Sequence, residues 1–188
     1  MRPSKHESVK PKSIKILTLR RSVAADSGER KRYYLDAGFW RYRCSIGRCG
    51  VTRRKREGDG CTPVGRFAIL AWLLRPAGTV AQRPTAGWRM IRTDDGWCDD
   101  PRSGVYNRPI RLPSKLRHEM LWRPDSKYDA VGIMDYNIHP RRPGAGSAIF
   151  FHLCSNSFEP TAGCIAVTGR IMNILLRSIS DTIKIVVS

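Results

Sequence analysis

Short runs of β-branched and aromatic residues, separated by turn residues, recur along most of this chain. SIKILTL at 13–19 alternates between apolar and polar residues, which is typical of a strand with one buried face. SAIFFHLC at 147–154 is apolar at successive positions, which indicates a strand buried on both faces. The pattern predicts a mainly β fold, with further strands at 31–47 (two, around a turn at 36–38), 65–76, 128–137 and 182–188.

One segment has helical periodicity, TGRIMNILLRSIS at 168–180. Thr168 is suited to cap its first turn, and we predict an apolar stripe made of Ile171, Ile174, Leu175 and Ile179. The 188 residues suit a single domain with its own core. We expect the polar, basic residues 1–12 to form a disordered arm and residues 13–188 to form the domain. The segment 92–125 is long for a loop, so we expect it to be ordered and functional.

The chain is strongly basic, because 34 Lys and Arg against 16 Asp and Glu give a formal net charge of +18. Such a surface attracts polyanions: nucleic acid, an anionic membrane or a carboxylate-rich cell wall. Charge alone does not choose among them. No apolar run approaches the roughly 20 residues of a membrane span, and the stretch at 14–19 is short for a secretory signal and contains Lys15. We therefore expect neither a membrane-spanning segment nor a visible export signal.

FFHLCSNSFEPTAGCIAV at 150–167 places His152 and Cys164 twelve positions apart. A thiol nucleophile needs a thiolate, an imidazole to take its proton and amide donors for the developing oxyanion. His152 lies in a predicted strand, and Gly163 permits a bend whose amides could bind an oxyanion. A histidine and a cysteine that merely pack in the core fit the spacing equally well. Cys154 lacks a preceding glycine, so we interpret it as a packing residue.

Other segments point away from common ligand sites. The glycine-rich segment 47–67 contains neither G-x-x-x-x-G-K-[ST] nor G-x-G-x-x-G, so a hairpin with a basic flank is simpler than a nucleotide site. The aspartates at 94–100 lack EF-hand spacing, and the six cysteines include no C-x-x-C, so we predict no metal site. Trp97, Tyr106 and Asn107 are candidates for lining a peptide groove.

HLCSNSFEPTAGCIAV resembles the catalytic signature of the L,D-transpeptidase (YkuD-type) family, a histidine followed by Ser/Thr-x-Gly-Cys and an apolar residue. GDGCTPVGRF resembles the Thr-Pro-x-Gly-x-Phe segment of that family. DDGWCDDP, YNRPIRLP and GSAIFFHL further resemble a compact proteobacterial branch with a Pro-Thr-x-Gly-Cys motif. The resemblance covers residues 13–188. The matching residues are His152, Thr161, Gly163, Cys164 and Ile165 in the first motif and Thr62, Pro63, Gly65 and Phe67 in the second.

The resemblance implies a single-domain β-sandwich with mixed sheets and a cysteine peptidyltransferase that uses neither metal nor organic cofactor. Cys164 would be the nucleophile, His152 the general acid and base, and the Gly163 amide an oxyanion donor. Ala166 stands where many relatives have Arg or Asn, so another basic residue must hold the donor carboxylate. We expect the substrate to contact Thr161, Tyr106, Asn107, Tyr136, Asn137, Arg53 and Arg54.

The implied substrates are peptidoglycan stem peptides, as acyl donor and as acceptor, and these place the enzyme in the periplasm or cell envelope. The enzyme would cross-link stems through diaminopimelate, with 1–3 links slightly favoured over 3–3 links. A carboxypeptidase, endopeptidase or amino-acid exchange enzyme uses the same thioester and is the alternative. A basic nucleic-acid-binding protein ranks below these. We expect a monomer that has no nucleic-acid partner.

Overall fold

The computed structural model describes residues 13–22, 32–85 and 87–188, and the predicted arm at 1–12 lies outside these ranges. The described residues form a large mixed sheet, a three-stranded sheet, a two-stranded pair and one α-helix, which confirms the mainly β prediction. The strands are β1 (Ile14–Arg21), β2 (Tyr33–Asp36), β3 (Arg41–Cys44), β4 (Val51–Thr52), β5 (Thr62–Pro63), β6 (Gly65–Leu74), β7 (Trp88–Met90), β8 (Asp95–Cys98), β9 (Pro109–Arg111), β10 (His118–Met120), β11 (Ala130–Met134), β12 (Phe150–Cys154), β13 (Ile165–Thr168) and β14 (Ile179–Val187), and the helix is α1 (Gly169–Ser178).

The large sheet has the strand order β13-β12-β11-β6-β14-β1-β2-β3, with β7 paired to β6. The pairs β1–β14 and β12–β13 are parallel, whereas β11–β12 and β11–β6 are antiparallel, so the sheet is mixed as predicted. The loop 155–164 joins β12 to β13 and ends in the predicted nucleophile. His152 and Cys164 therefore lie on, or directly before, two neighbouring strands.

The two ends of the large sheet meet. Ser45, directly after β3, exchanges backbone hydrogen bonds of 2.7 and 2.9 Å with Ala166 of β13. Further along, the Thr161 amide donates to the Ile46 carbonyl at 2.9 Å, and the Arg48 amide donates to the Thr161 carbonyl at 2.9 Å. These bonds fasten the loop 155–164 to the segment that follows β3. Closure also leaves fewer open strand edges, which are sites of unwanted pairing.

Strand β12 is buried on both faces, as its continuous apolar sequence predicts. Phe151 and Leu153 face the main core, which is filled by side chains from most strands of the large sheet. Phe150 faces a second apolar cluster, where its ring packs edge-on against Trp97 and Tyr128 at centroid distances of 5.3 and 6.1 Å. Since side chains alternate along a strand, His152 shares the face of Phe150.

Helix α1 lies close to its predicted position. It begins after Thr168, whose hydroxyl accepts a hydrogen bond from the Ile171 amide, as the predicted cap requires. The predicted stripe is wrong in part, because Ile174 is 40% exposed and Ile179 already belongs to β14. The side chains that the helix buries are Met172, Leu175 and Leu176. The chain turns into β14 at Ile179, so the helix ends two residues before the end of the segment that has helical periodicity, 168–180.

The hairpin predicted within 47–67 is wrong, because β4 and β5 pair in parallel, with Val51 opposite Thr62. The intervening residues must therefore reverse direction twice. Gly58 and Gly60 have φ angles of +75° and +69°, which glycine adopts without strain, and they provide part of this path. The parallel pairing carries β5 toward the loop 155–164.

The segment 92–125 is ordered, as predicted, and contains the three-stranded sheet β10-β8-β9. Asp95 is 3% exposed and anchors this sheet. Its carboxylate accepts hydrogen bonds from Arg89 at 2.6 Å, from Arg111 at 2.7 Å and from the Arg92 amide at 2.9 Å. Burial acts to raise the pKa of Asp95, but the bonds from Arg89 and Arg92 outweigh it, so the pKa lies below its ordinary value.

We expect Asp95→Asn to lower the free energy of unfolding by about 2 kcal/mol, since hydrogen bonds to charged groups contribute roughly 1.5–3 kcal/mol. Asp94→Asn is the matched control, because the Asp94 side chain is 46% exposed and pairs with the same Arg111. An exposed pair contributes about 0–1 kcal/mol. Urea unfolding at pH 7 measures both losses. Equal losses in the two variants would contradict the anchoring role of Asp95.

The contribution of Asp95 to the free energy of unfolding should depend on pH. The Asp95 pKa is lowered by folding, so its stabilisation is present above the unfolded pKa of about 3.9 and is lost as the pH falls through the folded pKa. Unfolding curves of the parent and Asp95→Asn should therefore converge at acid pH.

Candidate active site

Cys164 stands at the bend between the loop 155–164 and β13, and it is 7% exposed. Gly163, directly before it, has a φ angle of +145°, which side chains rarely permit. A Cβ atom at this position would lie 2.8 Å from the Cys61 carbonyl oxygen. Glycine is therefore required at 163 both by the backbone angle and by the close approach of the neighbouring chain.

The parallel pairing of β12 with β13 brings the predicted pair together. His152 is opposite Ala166 in this register, and Phe151 is opposite Ile165, so the next position back sets Phe150 beside Cys164. The Phe150 amide donates to Cys164 Sγ at 3.3 Å. His152 and Cys164 thus lie on one face of the pair, offset by two residues, and both line one cavity of about 550 Å³.

The local contacts of His152 determine its tautomer. His152 Nδ1 lies 2.8 Å from the Leu153 carbonyl oxygen, which can only accept, so Nδ1 carries the hydrogen and Nε2 holds the lone pair. Burial lowers the pKa of His152 to about 4, and the positive charges of Lys127 and Arg123 act in the same direction. The imidazole is therefore neutral near pH 7 and able to accept a proton.

The thiol of Cys164 is also neutral in this structure. Sγ donates to the Ala148 carbonyl at 3.2 Å, a bond that the thiolate cannot make. Burial raises the pKa of Cys164 to about 12, and the negative charge of Glu119 adds to the effect. The free site therefore contains a thiol and a neutral imidazole rather than a thiolate–imidazolium pair.

Thr161 holds the turn that contains the predicted oxyanion donors. Its hydroxyl donates to the Cys164 carbonyl at 2.6 Å and accepts from the Gly163 amide at 3.1 Å. The Gly163 amide is therefore engaged within the loop. Its predicted role as an oxyanion donor requires it to exchange the Thr161 hydroxyl for the substrate.

Thr62 supports the catalytic turn from the opposite side, and sequence reasoning gave this residue no role beyond the motif. Its fully buried hydroxyl donates to the Gly163 carbonyl at 2.8 Å and accepts from the Gly47 amide at 2.9 Å. The motif TPVGRF is thus joined to the motif TAGC by one side chain, across 101 positions of sequence. The motif TPVGRF is visible in the sequence, but the sequence does not show that Thr62 contacts Gly163.

Of the residues predicted to bind substrate, Thr161 lines the cavity and the others lie outside its lining. Asn107 is buried, and its side chain makes four hydrogen bonds, to Trp97, Ala148, Tyr136 and Asn137. Three more of the residues predicted to bind substrate make side-chain hydrogen bonds elsewhere. Tyr106 donates to Glu57, and Tyr136 and Asn137 donate to carbonyls of the segment 142–146. Tyr106 and Asn107 contact the lining residues Glu57 and Ala148 from outside the cavity. Arg53 and Arg54 are exposed at the surface.

Charged side chains that the sequence did not single out form much of the cavity wall. Several of them come from the segment 117–127, most of which lies within the region 92–125 that was predicted to be functional. Arg117 pairs with Asp99 at 3.0 Å, and Arg123 pairs with Asp125 at 2.8 Å. The basic lining residues are Lys55, Arg117, Arg123 and Lys127, and the acidic ones are Glu57, Asp99, Glu119 and Glu159. Cys154 also lines this cavity.

Tyr128 contacts the imidazole of His152 and is hydrogen-bonded to Glu119. The Tyr128 hydroxyl donates to Glu119, and the Tyr128 ring packs edge-on against His152 with a centroid distance of 5.1 Å. Burial raises the pKa of Glu119, although the Tyr128 hydroxyl opposes the shift. The ring contact fixes the plane of the imidazole without adding a charge beside it.

In the described part of the chain, no group of three or more His, Cys, Asp or Glu side chains could hold a metal ion. Among those same residues, no helix combines the length and the apolar character that crossing a membrane requires.

We expect alkylation of Cys164 by iodoacetamide to accelerate with pH up to at least pH 10. The reagent attacks the thiolate, and a pKa raised to about 12 keeps the thiolate fraction rising about tenfold per pH unit over this range. Peptide mass spectrometry measures the rate, and the exposed Cys49 is the control for reagent activity. A plateau for Cys164 below pH 8 would contradict the neutral-thiol state.

We expect Thr62→Val to lower the free energy of unfolding by at least about 2 kcal/mol, because a buried amide and a buried carbonyl each lose a partner at about 1–3 kcal/mol. Thr62→Ser retains the hydroxyl and should lose less. Urea unfolding compares the variants, and hydrogen exchange at 161–165 should accelerate in Thr62→Val alone. Similar behaviour of Val and Ser would show that the hydroxyl does not hold the turn.

The comparison with known families agrees with this geometry. A family model for the L,D-transpeptidase catalytic domain, YkuD, matches residues 20–187. No curated protein matches the chain. The family match spans both motifs, the loop that carries Cys164 and every strand of the cavity wall. This chain therefore belongs to the YkuD family of L,D-transpeptidase catalytic domains.

Proposed function

We propose that this protein is a peptidoglycan L,D-transpeptidase that transfers an acyl group through a thioester on Cys164. The observation that carries the proposal is the register of β12 with β13, which aligns His152 and Cys164 on one face beside one cavity. Family membership supports the reaction class, and the aligned pair supplies the nucleophile and the base. The substrate class implies a location in the periplasm or cell envelope.

Acylation begins when Cys164 Sγ attacks a carbonyl carbon of the donor stem. Binding of the donor must first displace the bond from Sγ to the Ala148 carbonyl, after which His152 Nε2 can take the thiol proton. Both groups are neutral before the step, so charge separates only as the bond forms. The Cys164 amide, joined by the Gly163 amide if Thr161 releases it, stabilises the oxyanion.

Collapse of the oxyanion breaks the carbon–nitrogen bond, and His152 returns its proton to the departing amine. The acyl group then remains on Cys164 as a thioester. The side-chain amine of a diaminopimelate residue on a second stem attacks this thioester, and His152 takes the proton of that amine. The carbon–sulfur bond breaks, Cys164 recovers a proton, and the product is a cross-linked pair of stems.

The mixed charges of the cavity suit a substrate that has both carboxylates and an amine. We propose that Lys55, Arg117, Arg123 and Lys127 bind stem carboxylates, in place of the exposed Arg53 and Arg54. Glu57, Asp99 and Glu119 can receive the diaminopimelate amine. Tyr106, Asn107, Tyr136 and Asn137 then act as positioning residues behind this wall.

The test is incubation of the protein with purified disaccharide-tetrapeptide and analysis of the products by mass spectrometry. We expect cross-linked dimers from the parent and a loss of more than about a thousandfold in Cys164→Ala, because no other group can carry the thioester. Cys154→Ala is the matched control: it removes a second thiol from the same cavity and should retain most of the activity. Undiminished dimers from Cys164→Ala would overturn the proposal.

The same reaction mixtures separate the finer possibilities. Shortened stems without dimers would indicate a carboxypeptidase or endopeptidase, and incorporation of an added D-amino acid would indicate an exchange enzyme. Fragmentation of a dimer identifies the acyl residue, which is L-alanine in a 1–3 link and diaminopimelate in a 3–3 link. We propose the 1–3 link, on the resemblance of the sequence to the compact branch.

A further inference from the structure

A second cavity, of about 660 Å³, lies beside the catalytic cavity and is larger than it. Its walls come from the end of β3, the turn 47–50 and the loop residues Ser157, Phe158 and Pro160. Pro160 lines both cavities, so the loop that leads to Cys164 forms a shared wall. We call this space the arginine cavity, after Arg32, Arg43 and Arg48 in its lining.

The two cavities differ in charge. The described residues that line the arginine cavity include three guanidinium groups and no Asp or Glu. Those that line the catalytic cavity include four basic and four acidic side chains. Arg43 and Arg48 both border this space, and an anionic ligand bound there would be attracted by both guanidinium groups. The arginine cavity therefore has the electrostatics of an anion-binding site, whereas the catalytic cavity has those of a zwitterion-binding site.

Two of the arginines are held in place. The Arg43 guanidinium lies 4.2 Å from the centre of the Phe158 ring, and a cation–π contact of this kind restricts its orientation. The Arg48 side chain packs along Gly60, where an added Cβ would lie 2.9 Å from the guanidinium carbon. The Arg48 amide also donates to the Thr161 carbonyl. Both side chains are exposed, and these contacts hold them along the shared wall.

We propose that the arginine cavity binds free carboxylates of the peptidoglycan substrate while the reacting part of that substrate occupies the catalytic cavity. The inference rests on the proposed function, because that function supplies a ligand with several carboxylates. Arginine binds carboxylates with paired, parallel hydrogen bonds. It binds phosphate in the same way, but a stem peptide that reaches across Pro160 is already tethered at the neighbouring site.

The experiment measures binding in the Cys164→Ala background, where no reaction consumes the ligand. Isothermal titration with disaccharide-tetrapeptide should give a Kd at least tenfold higher when Arg43→Gln and Arg48→Gln are combined. Arg66→Gln, on the exposed face of β6, is the control for loss of charge and should change Kd less than twofold. The combination of Arg43→Lys and Arg48→Lys should recover part of the affinity, which separates loss of charge from loss of folding.

Two further ligands test whether the arginine cavity recognises carboxylates. A stem whose carboxylates are amidated should bind the parent and the double glutamine variant equally. Inorganic phosphate that binds more tightly than the stem, and in an arginine-dependent way, would reassign the cavity to phosphate and overturn the proposal. An unchanged Kd in the double variant would overturn it as well. If these affinities change as expected while the unsubstituted enzyme forms no cross-links, the proposed function fails and the cavity assignment stands.

Discussion

The position of β13 is the constraint on which the site depends. This strand pairs in parallel with β12 on one side and, through Ala166, with Ser45 on the other. Backbone hydrogen bonds on both sides fix its register, and the register decides that Cys164 and His152 share a face. A slip of one residue would turn Cys164 toward the main core. Closure of the large sheet therefore helps to set the geometry of the candidate site as well as to stabilise the fold.

His152 and Cys164 are both buried and neutral in this structure. Burial lowers the pKa of His152 to about 4 and raises the pKa of Cys164 to about 12, so neither group ionises near neutral pH. A thiolate–imidazolium pair in this environment would require the separation of two buried charges. The substrate must supply the contacts that make charge separation favourable. A thiol that stays protonated reacts slowly with alkylating agents and oxidants, because these attack the thiolate.

The fold places basic side chains in two neighbouring cavities that differ in their acidic content. The lining of the catalytic cavity combines four basic side chains with four acidic ones, and Arg117 is paired with Asp99. The part of the arginine cavity lining that the structure describes contains basic side chains and no Asp or Glu. Net charge alone fits any polyanion. The separation into a mixed site and a cationic site, divided by one loop, fits a peptide that carries carboxylates along its length and an amine at one point.

The sequence by itself determined the longer strands and the helix after Thr168, because strand alternation and capping depend on near neighbours. Through the family motifs it also singled out Cys164 and His152 as candidates, whereas the φ angle of Gly163 and the Cys61 carbonyl beside it are visible only in the structure. Only the tertiary structure decided that Tyr106 and Asn107 stand behind the wall, that Lys55 and Arg117 stand in it, and that Thr62 holds the carbonyl of Gly163. Those positions follow from the pairing of strands distant in the chain. Strand pairing depends on the packing of the whole core, which no short stretch of sequence determines by itself.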